Sequence, residues 1–301
     1  TREEDFLENI FTATNHNWLL IFTKLGKCFW MRIFEVPEGS KQSKGRAIQN
    51  LISIGLDDKV LAYIPVKDIK DPEYANANYV VLSTKLGLIK KTSLEAYSRP
   101  RTNGINAVTI REGDELLQAR LTDGDSEVII GLKSGKAIRF NESKTRAVGR
   151  TAMGVKGITL GSPDDEVIGM VCVNDTESSI LVVSSNGYGK RSAVDDYRIT
   201  NRGGKGVKTL QITEKTGELI SILNVTDEHD LMIVNKSGIT IRMAVEDLRV
   251  MGRATQGVRL ISLRGKDEIA SVCRVPKADD EEEAAEGAEG EQPEGEQPEE
   301  S

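Results

Sequence analysis

Runs of four or five β-favouring residues alternate with short polar turns along most of the chain, and one arrangement of them returns five times. The clearest copies are Leu231–Ala244 (LMIVNKSGITIRMA), Val128–Asn141 (VIIGLKSGKAIRFN) and Ile180–Ala193 (ILVVSSNGYGKRSA). In each, an apolar run meets a tight turn ending in Gly and resumes as a second strand carrying a basic residue. Gly at the end of a short hairpin loop supplies the positive φ that a bulged hairpin requires. Tyr79–Thr92 (YVVLSTKLGLIKKT) fits the same template, as does Leu19–Arg32 (LLIFTKLGKCFWMR) with two extra residues before its basic position. The turn glycines are Gly26, Gly87, Gly135, Gly187 and Gly238. A second Gly follows each in a basic loop, Gly45, Gly104, Gly154, Gly206 and Gly257, at offsets of 19, 17, 19, 19 and 19 residues. A period of about 50 residues means a repeat architecture, not five separate domains.

Each copy closes with another strand, predicted at Val60–Val66, Leu116–Leu121, Val167–Val173, Leu219–Val225 and Ile269–Val275. An acidic turn precedes each one, and a short β-type run such as Val207–Thr213 lies between the loop Gly and that turn. The unit thus holds about four strands. No segment has a convincing helical period, which leaves only Thr1–Ile10 and Ala244–Leu248 as candidates for a short turn of helix. Four-stranded sheets stacked radially bury both faces and protect their edges, the propeller solution. The expected fold is therefore all-β: a lead-in at 1–10, a propeller-like body at 11–275 with repeats near 11–66, 79–122, 127–173, 179–225 and 231–275, and a tail at 276–301. The dipeptides of WD repeats are missing, which disfavours an ordinary protein-docking propeller of that type.

Charge divides the chain in two. Residues 278–301 hold 12 of the 47 acidic residues and none of the 40 basic ones, which leaves residues 1–277 at net +5 under an overall −7. A segment so poor in apolar residues is expected to stay disordered. A basic body beside an acidic tail points to a polyanion partner, with the tail as a competing polyanion. No run is long and apolar enough to cross a membrane, and Thr1–Asp5 does not read as a signal peptide. Cys28, Cys172 and Cys273 are far apart and odd in number, which reads as reduced core thiols in a cytosolic protein.

The basic residues recur at fixed places in the repeat. Lys91, Arg139, Arg191 and Arg242 follow the turn Gly by four residues, and Arg32 takes that part in the first copy; Lys190 adjoins Arg191. Before the loop Gly come Lys41 and Lys44; Arg99 and Arg101; Arg146 and Arg150; Arg198, Arg202 and Lys205; Arg249 and Arg253. Arg46, Lys156, Lys208 and Arg259 follow it. Any one of these is equally well read as a solvated surface charge, but recurrence turns the set into a belt around a rim. Such a belt suits duplex DNA held through its phosphates, with little sequence information. Neighbouring glycines are expected to let backbone N–H groups approach phosphate. Neutralising about ten phosphates gives a slope of log affinity on log salt near roughly −9. The acidic turns, by contrast, read as solvated loop charges.

The segments Asn186–Tyr197 (NGYGKRSAVDDY), Val250–Leu260 (VMGRATQGVRL), Arg146–Leu160 (RAVGRTAMGVKGITL) and Lys44–Leu51 (KGRAIQNL) together resemble the C-terminal domain of the DNA gyrase A protein. The resemblance covers roughly residues 3–275. It implies a β-pinwheel, a propeller variant whose blades exchange strands, that binds and wraps double-stranded DNA so that the catalytic core introduces negative supercoils. It also implies an A2B2 holoenzyme with the rest of gyrase A and with gyrase B, ATP and Mg as cofactors of that holoenzyme and none in this chain, and a bacterial cytoplasmic, nucleoid-associated location. The family has six blades, the first with a Gln-Arg-Arg-Gly-Gly-Lys-Gly box. Five copies are visible here and none has that box, so the resemblance implies a further blade before Thr1. The internal echo at Asn201–Gly206 lies in the fourth copy.

No catalysis is expected of the chain itself. Its tyrosines (63, 74, 79, 97, 188 and 197) read as strand or core residues, and His16 and His229 form no metal or triad pattern. Pairs such as Gly135-Lys136 and Gly189-Lys190 lack the spacing of a nucleotide-binding loop. Two alternatives stay open: the related C-terminal domain of topoisomerase IV, and a propeller that docks proteins.

Overall fold

The computed structural model describes residues 11, 13–39, 45–175, 177–265 and 267–277. Five hairpins carry the architecture: β1 (Trp18–Thr23) with β2 (Lys27–Arg32), β4 (Tyr79–Thr84) with β5 (Leu88–Ser93), β8 (Glu127–Leu132) with β9 (Lys136–Asn141), β12 (Ser179–Ser184) with β13 (Tyr188–Ala193), and β16 (His229–Asn235) with β17 (Thr240–Ala244). The closing strands are β3 (Val60–Val66), β7 (Leu116–Thr122), β11 (Val167–Val173), β15 (Leu219–Val225) and β19 (Ile269–Pro276). Four two-residue strands complete the set: β6 (Ile105–Asn106), β10 (Val155–Lys156), β14 (Val207–Lys208) and β18 (Val258–Arg259).

Each hairpin turns over four residues, with the amide of its Gly donating to the carbonyl three residues back, as from Gly26 to Thr23 at 2.9 Å and Gly187 to Ser184 at 3.0 Å. All five turn glycines have φ between +79° and +89°, a conformation other residues enter only at a cost. In the first three repeats an Asp just before the closing strand fastens the turn. Asp58 accepts from the Leu25 amide (3.0 Å), Asp114 from Leu86 (2.9 Å) and Asp165 from Ser134 (3.0 Å). These acidic residues were expected to be solvated loop charges. The structure instead buries Asp58 and Asp165 as acceptors for turn amides that no strand partner satisfies.

The sheets pair in the order β3-β1-β2-β6, β7-β4-β5-β10, β11-β8-β9-β14 and β15-β12-β13-β18; among the described residues the fifth is β19-β16-β17. The short strand after Gly104, Gly154, Gly206 and Gly257 thus completes the blade of the repeat before it, whereas Gly45 is followed by a single turn of helix at Ile48–Asn50. Blades stack in a ring with β3, β7, β11, β15 and β19 packed successively on one another on the inner side, which puts the exchanged strands at the outer edge. Alternate residues of one strand face opposite neighbours. Leu20 and Phe22 join Val80 and Leu82 between the first two blades, while Val81 turns the other way, to Val128 and Ile130. Burial on both faces is why the strands read as continuous apolar runs instead of alternating ones.

Several expectations change. A helix, α1 (Pro72–Ala77), was not anticipated; Asp71 caps it, accepting from the Glu73 amide at 3.0 Å, and Pro72 occupies its first turn. Asp-Pro before a short polar stretch is a start signal visible in the sequence. Of the segment 244–248, Ala244 ends β17 and 245–248 form a turn, closed from the Leu248 amide to the Val245 carbonyl at 2.9 Å. The lead-in at 1–10 and the acidic tail from 278 onward lie outside the described residues, and β19 continues through Pro276. Cys28 and Cys273 are buried and Cys172 half-buried; burial pushes the Cys172 thiol up to about 12.

Strand exchange sets a steric condition at the loop glycines. Gly154, Gly206 and Gly257 have φ of +93°, +71° and +75°, and a Cβ there would lie 2.6, 2.6 and 2.5 Å from the carbonyl oxygens of Ile89, Ala137 and Gly189 on the preceding blade. These glycines therefore bring one blade's backbone against another; approach to phosphate, the role expected of them, does not explain their placement. Gly45 has open space around it. Gly206→Ala is expected to cost at least about 1–3 kcal/mol from backbone strain alone, measured as a fall in urea midpoint, whereas Gly45→Ala leaves the midpoint unchanged.

Candidate nucleic-acid interface

The basic residues divide into two populations according to where strand exchange places them. Lys91, Arg139, Lys190 and Arg191 lie on strands covered on both faces and are buried. Lys91 pairs with the fully enclosed Glu142 at 2.9 Å and sits 4.4 Å above the Tyr79 ring. Glu142 also accepts from Thr122 Oγ1 (2.9 Å) and the amides of Gly124 (3.1 Å) and Ser126 (2.7 Å). Arg139 donates to the Glu127 carboxylate and to the carbonyls of Val194 (2.8 Å) and Tyr197 (3.0 Å) in the next repeat. Arg191 reaches the Leu248 carbonyl and Asp227 in the same manner. Their donors are committed to neighbouring blades, so these four leave the candidate rim: they are clamps between repeats.

Register corrects the first copy. The clamp residues Lys91, Arg139 and Arg191 pair across their hairpins with Val81, Ile129 and Leu181. The residue equivalently paired, with Leu20, is Trp30 and not Arg32. Its indole N–H donates to the Tyr97 carbonyl at 2.9 Å, the counterpart of Arg139 on Tyr197. Arg32 is half-buried and stacks 4.3 Å above the Trp18 ring. In the fifth copy Arg242 occupies the clamp position but is exposed, pairing with Asp230 at 2.7 Å.

Arg46, Arg99, Arg101, Arg146, Lys156, Arg198, Lys205, Lys208, Arg249 and Arg259 are exposed. Lys41 and Lys44 lie outside the described residues. Arg150, Arg202 and Arg253 stand four residues before their loop glycines and latch each loop onto the one before. Arg202 donates to the carbonyls of Lys144 and Lys156, both at 3.1 Å. Arg253 donates to Asp196 at 2.9 Å and Lys208 at 2.7 Å. Arg150 reaches Asn106 at 3.5 Å. Threonines reinforce the latch, with Thr109 Oγ1 donating to the Thr151 carbonyl (2.7 Å) and Thr159 Oγ1 to Gly203 (2.6 Å). The outer edge is thus a chain of clasped loops. Arg99, Arg101 and Arg150 converge on one cleft there; Arg146 and Arg202 line another with Lys144, which the sequence pattern did not select because it precedes the basic loop.

Lys90, also missed, is fully buried one residue before the clamp position, and its ammonium donates to the carbonyls of Ala107 and Arg150. Burial, helped by the nearby Arg150 charge, lowers its pKa to about 7. Lys190, at the same place two blades on, bonds Gly252 O at 2.7 Å and Thr255 Oγ1 at 3.2 Å, and burial lowers it to about 8.

Comparison with known proteins accords with the fold. The family model described as DNA gyrase C-terminal domain, beta-propeller, matches residues 17–67, 78–123, 133–174, 178–226 and 229–275. This chain belongs to the DNA gyrase A C-terminal domain family. It is 44% identical over 283 residues to the DNA gyrase A protein of Staphylococcus aureus strain MRSA252, covering 94% of this chain and 31% of that protein. The counterpart from strain NCTC 8325 / PS 47 is 45% identical over 287 residues, 95% of this chain and 32% of that one. The chain therefore spans about a third of the length of these relatives. Among solved structures, a DNA gyrase A C-terminal domain superposes with TM-score 0.74 at 22% identity, covering 89% of each chain. The C-terminal domain of a DNA topoisomerase IV superposes with TM-score 0.78 at 24% identity, covering 91% of this chain and 84% of that one. At those identities the superpositions establish the fold, which gyrase and topoisomerase IV share.

Two consequences of the buried lysines are measurable in this gyrase-family domain. Glu142→Gln leaves Lys91 without its counter-charge in a buried site and is expected to destabilise by about 3–5 kcal/mol, read by urea denaturation. Unfolded Lys90 keeps its proton to about pH 10.4, whereas the folded chain releases it near 7. Between those values the unfolded state binds more protons, so the contribution of Lys90 to stability rises with pH. The Tm of the wild type is expected to gain on that of Lys90→Met from about pH 7 to about pH 9.5; parallel pH curves would contradict the assignment.

Proposed function

We propose that this chain is the DNA-binding and DNA-wrapping domain of a gyrase A protein, bending duplex DNA around its outer edge so that the ATP-dependent holoenzyme introduces negative supercoils. The observation that carries this reading is the chain of clasped loops. It presents Arg146, Lys156, Arg198, Lys208, Arg249 and Arg259 at repeated positions on the outer edge, where a curved duplex would meet successive blades. Phosphate contacts of this type bind with little sequence preference. Bending the duplex costs roughly 1–6 kcal/mol per 20–30 base pairs, which contacts at several blades offset.

In this reading the partners are double-stranded DNA, the rest of gyrase A, and gyrase B, in an A2B2 assembly, and the site of action is the bacterial cytoplasm at the nucleoid. No helix among the described residues is long and apolar enough to cross a membrane. ATP and magnesium would be held by the other parts of the holoenzyme; among the described residues no His, Cys, Asp or Glu side chains are grouped to hold a metal ion. Gyrase is favoured over topoisomerase IV by the 44–45% identity to gyrase A proteins.

The test is ligation of nicked circular DNA at rising protein concentration, followed by deproteinisation and gel analysis. A concentration-dependent shift in linking number is expected. Binding without a shift would reduce the domain to a DNA-holding module, the topoisomerase IV reading. Neither binding nor shift would favour a protein-docking propeller. Arg146→Gln/Arg198→Gln/Arg249→Gln is expected to flatten the slope of log affinity on log salt by roughly 2–3 units while the Tm stays unchanged, whereas substitution of the clamp Arg139 lowers the Tm.

A further inference from the structure

The same basic loops hold an apolar side chain in the open. Ala147, Ile199 and Val250 form isolated parallel bridges to the clamp residues Lys91, Arg139 and Arg191 of the preceding blade. The following amides fix the segments, with Val148 donating to the Lys91 carbonyl (2.9 Å), Thr200 to Arg139 (2.9 Å) and Met251 to Arg191 (2.8 Å). Yet Ile199 is 59% exposed and Val250 52%; at the third junction the bridge residue is Ala147 and the apolar bulk falls on Val148, 37% exposed. One exposed aliphatic residue needs no explanation. Two at the bridge position itself and a third one residue beyond it, all against a buried clamp, do.

Their surroundings indicate what covers them. Each lies between two arginines of its loop: Arg146 and Arg150 around Ala147-Val148, Arg198 and Arg202 around Ile199, Arg249 and Arg253 around Val250. At one junction Val148, Met153 and Val155 line a cleft of about 300 Å³ that Lys144, Arg146 and Arg202 also line. An apolar side chain between guanidinium groups matches the edge of a duplex, where deoxyribose carbons lie between phosphates. It matches an apolar protein patch poorly, because the flanking arginines would lose water without gaining anions. Architectural DNA-binding proteins use aliphatic side chains in the minor groove to favour a bent path.

We propose that Val148, Ile199 and Val250 contact the deoxyribose walls of the minor groove, one residue per blade junction, and so provide the part of DNA affinity that salt does not screen. This rests on the DNA-wrapping reading. It adds to the phosphate belt a second kind of contact with a different signature, since apolar burial releases no counterions and lowers affinity equally at all salt concentrations when it is lost.

The experiment titrates a linear duplex with the full 301-residue chain at several salt concentrations, comparing wild type, Val148→Thr/Ile199→Thr/Val250→Thr and the single variant Ile199→Thr. Threonine keeps the β-branch that suits an extended backbone, and the single change at the most exposed position keeps the test available if the triple variant is less stable. The triple variant is expected to bind about tenfold more weakly at every salt concentration, from the loss of a few partly buried methyl groups, with an unchanged salt slope and, when nicked circles are ligated in its presence, a smaller linking-number shift. Unchanged affinity overturns the proposal and leaves the rim apolar row to a protein partner. A flattened slope also overturns it, because the variants would then be disturbing phosphate contacts. Failure of the wild type to bind any duplex overturns the DNA-wrapping reading itself, and is recognised in the wild-type arm alone.

Discussion

Everything at the outer edge of this molecule depends on one constraint: a blade cannot be finished by its own repeat. Its last strand is two residues long and arrives from the following repeat, β6 on β2, β10 on β5, β14 on β9 and β18 on β13. Two residues of ladder hold little by themselves. The incoming loop therefore has to approach closely enough for glycine to be the only residue that fits, and it has to be fastened by side chains. Arg150, Arg202 and Arg253 fasten it from above through carbonyls of the neighbouring loop, and Arg139 and Arg191 fasten it from below through Tyr197 and Leu248. The positively charged loops lie at the rim because that is where exchanged strands have to be.

The same constraint explains why one repeat holds basic residues with opposite fates. A basic residue in the middle of a second hairpin strand is covered by the next repeat and has to find anions or carbonyls within the protein; Glu142, Glu127 and Asp227 supply the charge. Where no later repeat among the described residues covers it, as at Arg242, the same position is exposed. Such buried pairs contribute little net stability compared with apolar packing but are costly to break. They fix which loop meets which strand, so their service is register more than energy. By contrast the half-exposed pairs between blades at the turn end, Lys24–Glu115, Lys85–Glu166 and Lys133–Glu218, contribute a few tenths of a kcal/mol each at most, roughly.

The sequence carried the fold well because the repeat tied it down. Turn glycines marked five hairpins, and the closing strands fell where apolar runs followed acidic turns, with β3, β11 and β15 matching residue for residue. Which basic residues are exposed was only half legible. Spacing from the turn Gly placed Lys91, Arg139 and Arg191 in one class with the loop arginines, but spacing along a strand does not reveal that both faces of that strand are covered. Looking for a basic side chain also assigned Arg32 to the first copy, although both the count of four from Gly26 and the hairpin pairing select Trp30, an indole N–H standing in for a guanidinium on the same type of carbonyl. A cue was present at Arg139, whose partner Glu127 stands at the other end of the same hairpin, 12 residues before it, but the partners of Lys91 and Arg191, Glu142 and Asp227, come from later in the chain. The glycines misled in the opposite direction. Read beside basic residues they suggested phosphate, whereas what lies against them is the backbone of the blade before.

Separating clamps from contacts changes how charge on this domain is to be reasoned about. A net charge of +5 over residues 1–277 is too small a number to describe the surface, because Lys91, Arg139 and Arg191 are neutralised internally while the exposed arginines are concentrated on one edge. Potential at that edge is set by local density and not by the total. A repeat distributes that density along an arc, so in the DNA-wrapping reading proposed above each blade would contribute a similar push on a passing phosphate backbone and none would read sequence by charge. The clasped loops also keep the arc stiff, since each is hydrogen-bonded to its neighbour through side chain and backbone. In that proposed reading a stiff, charged arc leaves the flexible adjustment to the duplex, and sequence would enter through the ease with which a given stretch of DNA bends.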